Sequence, residues 1–293
     1  MSLCSVTAIV PTYERLRETL VTLENIVRAR PRPNEILVHI DDNHVEFEGA
    51  IRQTFPEIEI FRSPTRVGPG GARNKLLSAA KNEIVVSFDD DSYPIDSDYF
   101  ERVRVVFDKF PQAMIVFAAV FHRGEAIMPP EESFKWVADF AGAGCAYRRS
   151  SFMATSGYLP LPVAYGMEEV DLALRLHADG KKILWTPWLR VFHDSMLEHH
   201  NLPAITAASI ANLALLGYLR YPRSLWLTSV GQCVNRILWL LKHARWRGIV
   251  SGLLMIPKHL RKYKRYRLQV PSQAVQSYLA LRRSSTVAEP RRE

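Results

Sequence analysis

Cysteine is scarce in this chain. Cys4, Cys145 and Cys233 are odd in number and far apart, and none belongs to a Cys-x-x-Cys or Cys/His cluster. That pattern argues against a disulfide framework and a zinc site and makes a reduced, cytosolic setting the simpler expectation. A basic opening followed by a small-residue cleavage site is also missing. The N-terminus runs straight into the strand-like VTAIVPTY, so no secretory signal is expected. Long apolar runs are lacking too. Residues 202–219 are uncharged and of about the right length to span a bilayer, but they are rich in Ala, Thr and Ser and contain Pro203, and they read as a packing helix. There is no internal repeat and no low-complexity block.

Acidic residues are almost absent beyond residue 200. Residues 201–293 hold 16 Lys+Arg against Glu289 and Glu293, a net charge of +14, whereas the first 200 residues hold 22 bases against 28 acids, a net of −6. A basic C-terminal region on an acidic body implies two tasks. At 293 residues the chain is long enough for one large core with an appendage. The expected organisation is a catalytic domain over 1–200, an amphipathic basic helical extension over 201–270, and a partly disordered tail over 271–293.

Strand and helix signals alternate through the first half. VTAIV (6–10), EILVHI (35–40), IEIF (58–61), EIVVSF (83–88) and AMIVFAAV (113–120) are short and β-rich; the segments 14–30 and 99–110 carry helical periodicity, and 68–81 reads as a glycine turn entering a helix. Such alternation predicts an α/β fold with a mostly parallel central sheet flanked by helices. In such sheets ligands bind beyond the carboxyl ends of the strands. Asp41–Asp42 and Asp89–Asp90–Asp91 each follow a strand directly. They read either as solvated turn residues or, taken together, as the oxygen-rich seat of Mg²⁺ or Mn²⁺ shared with a substrate's phosphates.

Two further stretches carry candidate chemistry. In RVGPGGARNK (66–75), Gly70 and Gly71 precede an expected helix start with Arg73 in its first turn, a combination that attracts phosphate. No Gly-Lys-Ser/Thr follows, so this is not a Walker A loop. In YGMEEVDLALRLHADGKK, Glu168, Glu169 and Asp171 open a helix that Gly180 closes. Acids are favoured there by the helix dipole alone, and Asp171 has Arg175 as an i, i+4 partner. His193 follows a strand-like run, a position that suits a structural histidine as well as a ligand.

In order along residues 6–195, the pieces AIVPTYER, HIDDNH, VGPGGARNK, VSFDDDSYP, GAGCAYRRSSF, GMEEVDLALRL and VFHD resemble the inverting GT-A glycosyltransferases of family 2. The resemblance implies a GT-A nucleotide-diphospho-sugar transferase fold. Pro11 and Tyr13 would border the nucleotide base and Asp41 or Asp42 would hydrogen-bond it. Arg73 would sit by the nucleotide or its diphosphate. Asp89, Asp90 and Asp91 fill the family's DXD motif, with Asp89 facing the ribose and Asp91 holding Mg²⁺ or Mn²⁺ on the diphosphate. His193 would complete the metal's coordination. Glu168–Glu169 fall on the family's ED motif, with Glu168 on the acceptor side and Glu169, in place of the commoner Asp, as the base. Trp136 and Phe134 read either as core residues or as stacking surfaces for the acceptor.

The expected partners follow: a nucleotide-diphospho-sugar donor, a glycan or glycolipid acceptor, and no nucleic acid. The stretch 224–267 interleaves apolar and basic residues, which suits a peripheral enzyme on the anionic inner face of the cell membrane. Two readings from other classes are a metal-dependent nucleic-acid enzyme and a catalytically silent sugar-nucleotide-binding protein. The basic region carries no nucleic-acid-binding motif, and the intact acidic motifs argue against the silent protein.

Overall fold

The computed structural model of the chain describes residues 3–41, 45–163, 165, 167–195 and 202–290. The first half alternates as expected: β1 (Leu3–Thr12), α1 (Leu16–Arg28), β2 (Arg32–Ile40), α2 (Val45–Thr54), β3 (Glu59–Arg62), α3 (Gly68–Ala79), β4 (Ile84–Ser87), β5 (Ser92–Pro94), α4 (Tyr99–Lys109) and β6 (Ala113–His122). There follow β7 (Lys135–Val137), β8 (Cys145–Arg148), α5 (Arg149–Met153), α6 (Glu168–Ala178) and β9 (Lys182–His193).

The strands form one sheet, ordered β10-β7-β9-β6-β8-β4-β1-β2-β3, with β5 paired to β9; β10 is Thr286–Val287. β1 pairs in parallel with β2 and β4, β2 with β3, and β6 with β9. β8 lies antiparallel between β4 and β6. Because β8 reverses the direction twice, β1–β4, β6 and β9 all point the same way. Their carboxyl ends therefore share one rim, and Tyr13, Asp41, Asp89, His122 and His193 emerge on it. β1 is buried on both faces, its Ala8 and Val10 packing with α1 and α4 and its Ile9 with α3 and α6. Both-sided burial is why this strand reads as an unbroken apolar run rather than an alternation. Gly180, at φ +69°, closes α6 as the sequence predicts, with Lys181 N donating to Leu176 O at 2.9 Å.

The C-terminal region is α7 (Pro203–Arg220), α8 (Trp226–Lys242), α9 (Ile249–Tyr263) and α10 (Ser272–Arg283). α7 is the packing helix expected: Leu215, Leu216 and Leu219 form a separate core with Leu159, Leu161 and Met167. Asp171, fully buried in α6, accepts hydrogen bonds from both Arg175 and Arg220 and so ties α6 to α7. α8 and α9 behave differently. Leu227, Val230, Val234, Leu238 and Leu241 recur at helical spacing on α8 yet face solvent, as do Val250, Leu253 and Leu254 on α9. No helix among the described residues is long and apolar enough to cross a membrane.

The tail corrects the expectation of disorder for most of its length. α10 buries Val275 and Tyr278 against the sheet core, and β10 pairs with β7 through Thr286 and Val287. Tyr278 Oη donates to Asp139, and Arg282 pairs with the same carboxylate at 2.6 Å. Two buried apolar anchors and one shared acceptor hold this segment, features too sparse to register as a pattern.

Candidate active site

Asp41 sits just past β2 and is buried. Its two carboxylate oxygens accept hydrogen bonds from Val67 N and Gly68 N, each at 2.8 Å. The anion at the start of α3 is thus a side chain of the protein itself. This corrects the reading of the glycine turn as a free phosphate cradle. The helix also begins earlier than the sequence suggests, at Gly68, which puts Arg73 in its second turn. Gly68 has φ +76°, and a Cβ there would lie 1.9 Å from Leu161 O, so only glycine fits. Asp42 lies outside the described residues.

The three adjacent aspartates are fanned apart by a tight turn, in which Ser92 N donates to Asp89 O at 3.1 Å and Asp89 N donates to Ser92 Oγ at 2.7 Å. Each carboxylate goes its own way. Asp89 pairs with Arg73. Asp90 accepts from Thr12 Oγ1 at 3.2 Å and Tyr13 N at 3.3 Å. Asp91 Oδ2 accepts from Arg15 Nη1 at 2.5 Å, and Asp91 Oδ1 meets His193 Nε2 at 2.9 Å. His193 comes from β9, three strands along the sheet from β4, and is brought in by the β5–β9 pairing of Ser92 with His193. Asp89, Asp91 and His193 each offer one ligand atom, and these atoms lie within 4.8 Å of one another.

Charge states follow from these partners. Burial pushes the Asp90 carboxyl up to about 7, against the opposing pull of Arg15. Burial also works on Asp91, but the hydrogen bond and charge of His193, with Arg15 behind them, hold it below the usual carboxylate range. His193 is raised in turn: burial disfavours its charge, and the Asp91 hydrogen bond and the Asp89 charge outweigh that.

A second cluster adjoins the first through Arg73, a guanidinium with 1% exposure. It donates to Ser87 Oγ at 3.0 Å, to Glu168 Oε1 at 3.0 Å, and to Asp89. Glycines make the space. A Cβ on Gly70 would stand 2.8 Å from Glu168 Oε2, and one on Gly142 would stand 2.6 Å from Glu169 Oε1. Glu168 and Glu169 both have pKa values raised by burial. Glu168 is pushed further by the charge of Glu169, while Arg73 opposes the rise in both. Glu168 Oε2 has no hydrogen-bond partner among the described residues. The two carboxyls interact directly, so a proton held between them would satisfy that oxygen.

One cavity of about 660 Å³ joins these groups, with Pro11, Tyr13, Asp41, Arg73, Asp89, Asp90, Asp91, Glu168, Glu169 and His193 all on its wall. Trp136 is not there. It lies on β7, between β10 and β9, edge-on to Phe110 at 5.8 Å with Lys182 over its face, and Phe134 packs on the same Phe110 at 4.7 Å. These aromatics close the core over the end of α4, which corrects the acceptor-side expectation for Trp136. Among the cavity residues that escaped the sequence reading are Arg15, Arg66 and His122. Arg66 stacks over the Tyr13 ring at 3.9 Å, and the His122 ring lies 5.2 Å from that of His193. His122 carried a usable signal, since it ends an apolar run as His193 does, and parallel pairing sets the two side by side.

One curated relative that matches is an uncharacterized protein of Sinorhizobium fredii, y4gI, 22% identical over 219 residues. The match takes in 64% of this chain and 24% of the relative, so the chain spans about a quarter of that protein's length. Among solved structures, the mannosyltransferase PcManGT of Pyrobaculum calidifontis, in complex with GDP-Man and Mn²⁺, superposes with a TM-score of 0.59 at 19% identity, over 95% of this chain and 86% of that one. GalNAc-T7 with UDP, GalNAc and Mn²⁺ gives 0.59 at 14% identity, over 74% of this chain and 48% of that one. At these identities the likeness is one of fold. The family described as "Glycosyl transferase family 2" matches residues 7–154, from β1 through α5, and on that match over half its length the chain belongs to glycosyl transferase family 2.

Proposed function

We propose that the protein transfers a sugar, with inversion, from a nucleotide-diphosphate donor to a hydroxyl of a glycan or glycolipid at the cytoplasmic face of a membrane. The observation that carries this reading is the single cavity that joins an Asp/Asp/His cluster to a buried glutamate pair. Tyr13 and Arg66 form a flat wall suited to a nucleobase. Asp89, Asp91 and His193 offer the hard and borderline donors that suit Mg²⁺ or Mn²⁺. Such an ion, when bound, neutralises charge on the leaving diphosphate.

The remaining work falls to the chain's own groups. Glu169 takes the proton of the acceptor hydroxyl as that oxygen attacks the anomeric carbon from the face opposite the diphosphate, and the configuration inverts. A base with a raised pKa is better matched to neutral pH than an ordinary glutamate. Arg73 and Glu168 hold that base and Asp89 in a fixed relation. The outward apolar face of α8 and α9, with Arg236, Lys242, Arg245 and Arg247 nearby, supports a role at an anionic lipid surface. The free cysteines fit a cytoplasmic setting.

A thermal-shift screen of UDP- and GDP-sugars with and without Mn²⁺ tests the donor reading, since a bound donor raises the melting temperature with concentration. A metal-dependent shift followed by transfer, or by slow donor hydrolysis, is the expected result. Binding without either reaction would favour the silent binding protein. Salt-sensitive affinity for DNA or RNA above that for lipid would favour the nucleic-acid enzyme.

A further inference from the structure

Of the three arginines on the cavity wall, Arg15 and Arg73 are held in opposite ways. Arg73 is sealed in by three acceptors and cannot leave. Arg15 is 41% exposed and reaches into the cluster from outside. It follows Glu14, whose φ of 57° lies in the left-handed region that non-glycine residues adopt only under constraint. Its backbone carbonyl accepts Thr19 N at 3.0 Å and Thr19 Oγ1 at 2.6 Å as α1 begins. Its side chain turns back to Asp91 Oδ2 at 2.5 Å and Asp90 Oδ1 at 3.5 Å. The helix start is thus served by the backbone, and the guanidinium is left to serve the aspartates.

Both oxygens of Asp91 are engaged, one by Arg15 and one by His193. The two partners differ in what they can become. A histidine nitrogen can pass from hydrogen bonding to ligation. A guanidinium has no lone pair and keeps its charge at any working pH, so it opposes a cation at the same carboxylate. A diphosphate, in contrast, matches its forked donors and offers it an alternative anion.

We propose that Arg15 is an exchangeable counter-cation: it neutralises Asp91 and Asp90 until the donor arrives, then yields Asp91 to the divalent ion and turns to the donor's phosphates. This rests on the proposed metal and donor reading of the site. Metal and donor then bind with positive coupling, and by linkage each raises the other's affinity by the same factor. The arrangement keeps the cluster from holding a metal tightly without donor.

Mn²⁺ binding by the full chain, read from the EPR signal of free Mn²⁺, tests this without any turnover. Arg15→Met keeps the side chain's length and leaves the backbone cap, and thermal melts verify folding. With no nucleotide present, Arg15→Met is expected to bind Mn²⁺ about tenfold or more tighter than the parent, because no charge-assisted hydrogen bond has to be broken. Arg15→Lys, which keeps the charge, is expected to stay near the parent. Adding UDP or GDP, tested separately, is expected to raise Mn²⁺ affinity less in Arg15→Met than in the parent. Unchanged or weaker Mn²⁺ binding by folded Arg15→Met overturns the inference, as does Arg15→Lys matching Arg15→Met. If the parent binds Mn²⁺ no better than Asp91→Ala under every condition, the metal reading itself is wrong, and this inference falls with it.

Discussion

The rim of the sheet and the outer face of α8–α9 solve opposite problems. At the rim, charge is concentrated and withdrawn from water, and every carboxylate from Asp89 to Asp91 has a named cationic partner in Arg73, Arg15 or His193. On α8–α9, apolar surface is concentrated and left in water: Leu227 is 87% exposed and Leu254 is 76% exposed. Contiguous exposed apolar faces of this kind mark surfaces available for association. The first region gathers charge around a cavity, and the second presents apolar surface to its surroundings.

That contrast breaks most sharply at Asp91. Asp91→Ala is expected to abolish metal-dependent donor binding, read as the loss of the Mn²⁺-dependent thermal shift, while vesicle adsorption stays intact. Glu169→Gln comes next. It is expected to retain donor binding and lose transfer by about 10²–10⁴-fold, the usual value of a general base. Wild-type-like transfer by that variant would move the role to Glu168. Because the Glu169 pKa is raised, the acid limb of the pH–rate profile is expected to lie above the ordinary glutamate range, with activity falling as pH drops through it.

Stability tests the seam between the two regions. Asp171→Ala strands the guanidiniums of Arg175 and Arg220 in a buried site and is expected to cost about 3–5 kcal/mol in denaturant unfolding. His39 gives a smaller effect. Burial lowers its pKa to about 4 from an ordinary imidazole value of 6.5, with Lys75 adding to the shift. The unfolded chain therefore takes up a proton that the folded chain refuses, and stability falls as pH drops from about 6.5 to about 4, by between about 1 and 3 kcal/mol. His39→Gln should flatten that slope. At the small end, Leu227→Glu with Leu254→Glu is expected to change stability by less than about 0.5 kcal/mol, as exposed substitutions do. The same double variant should lose adsorption to anionic vesicles. Retained adsorption would transfer the membrane role to the basic residues alone.

The elements legible in the sequence were those whose pattern and purpose coincide. EIVVSF buried on two faces and ending in three acids gave both β4 and the rim, and Gly180 gave the end of α6. The reading failed where long-range pairing decides. Nothing local in GAGCAYRR says that β8 runs antiparallel between β4 and β6, yet this insertion aligns the ends of six strands. Arg15 carries no local signal beyond a charge at a helix start, because its partner is an aspartate 76 residues away. The spacing of the α8 stripe was readable, but its direction was not, since periodicity identifies a face without saying what it meets. β10 is two residues long and has no pattern of its own.

The Asp171 clamp has a consequence for anyone recombining this protein with its relatives. A crossover near residue 200 looks natural by composition, because the charge reverses sign there. It would nevertheless separate Asp171 on α6 from Arg220 on α7 and leave the buried ion pair incomplete. The same cut would part Leu159, Leu161 and Met167 from the leucines of α7. The transferable unit therefore runs from the loop before α6 through α7. A chimera that carries the glutamate pair from one parent and the helical block from another inherits two halves of one joint.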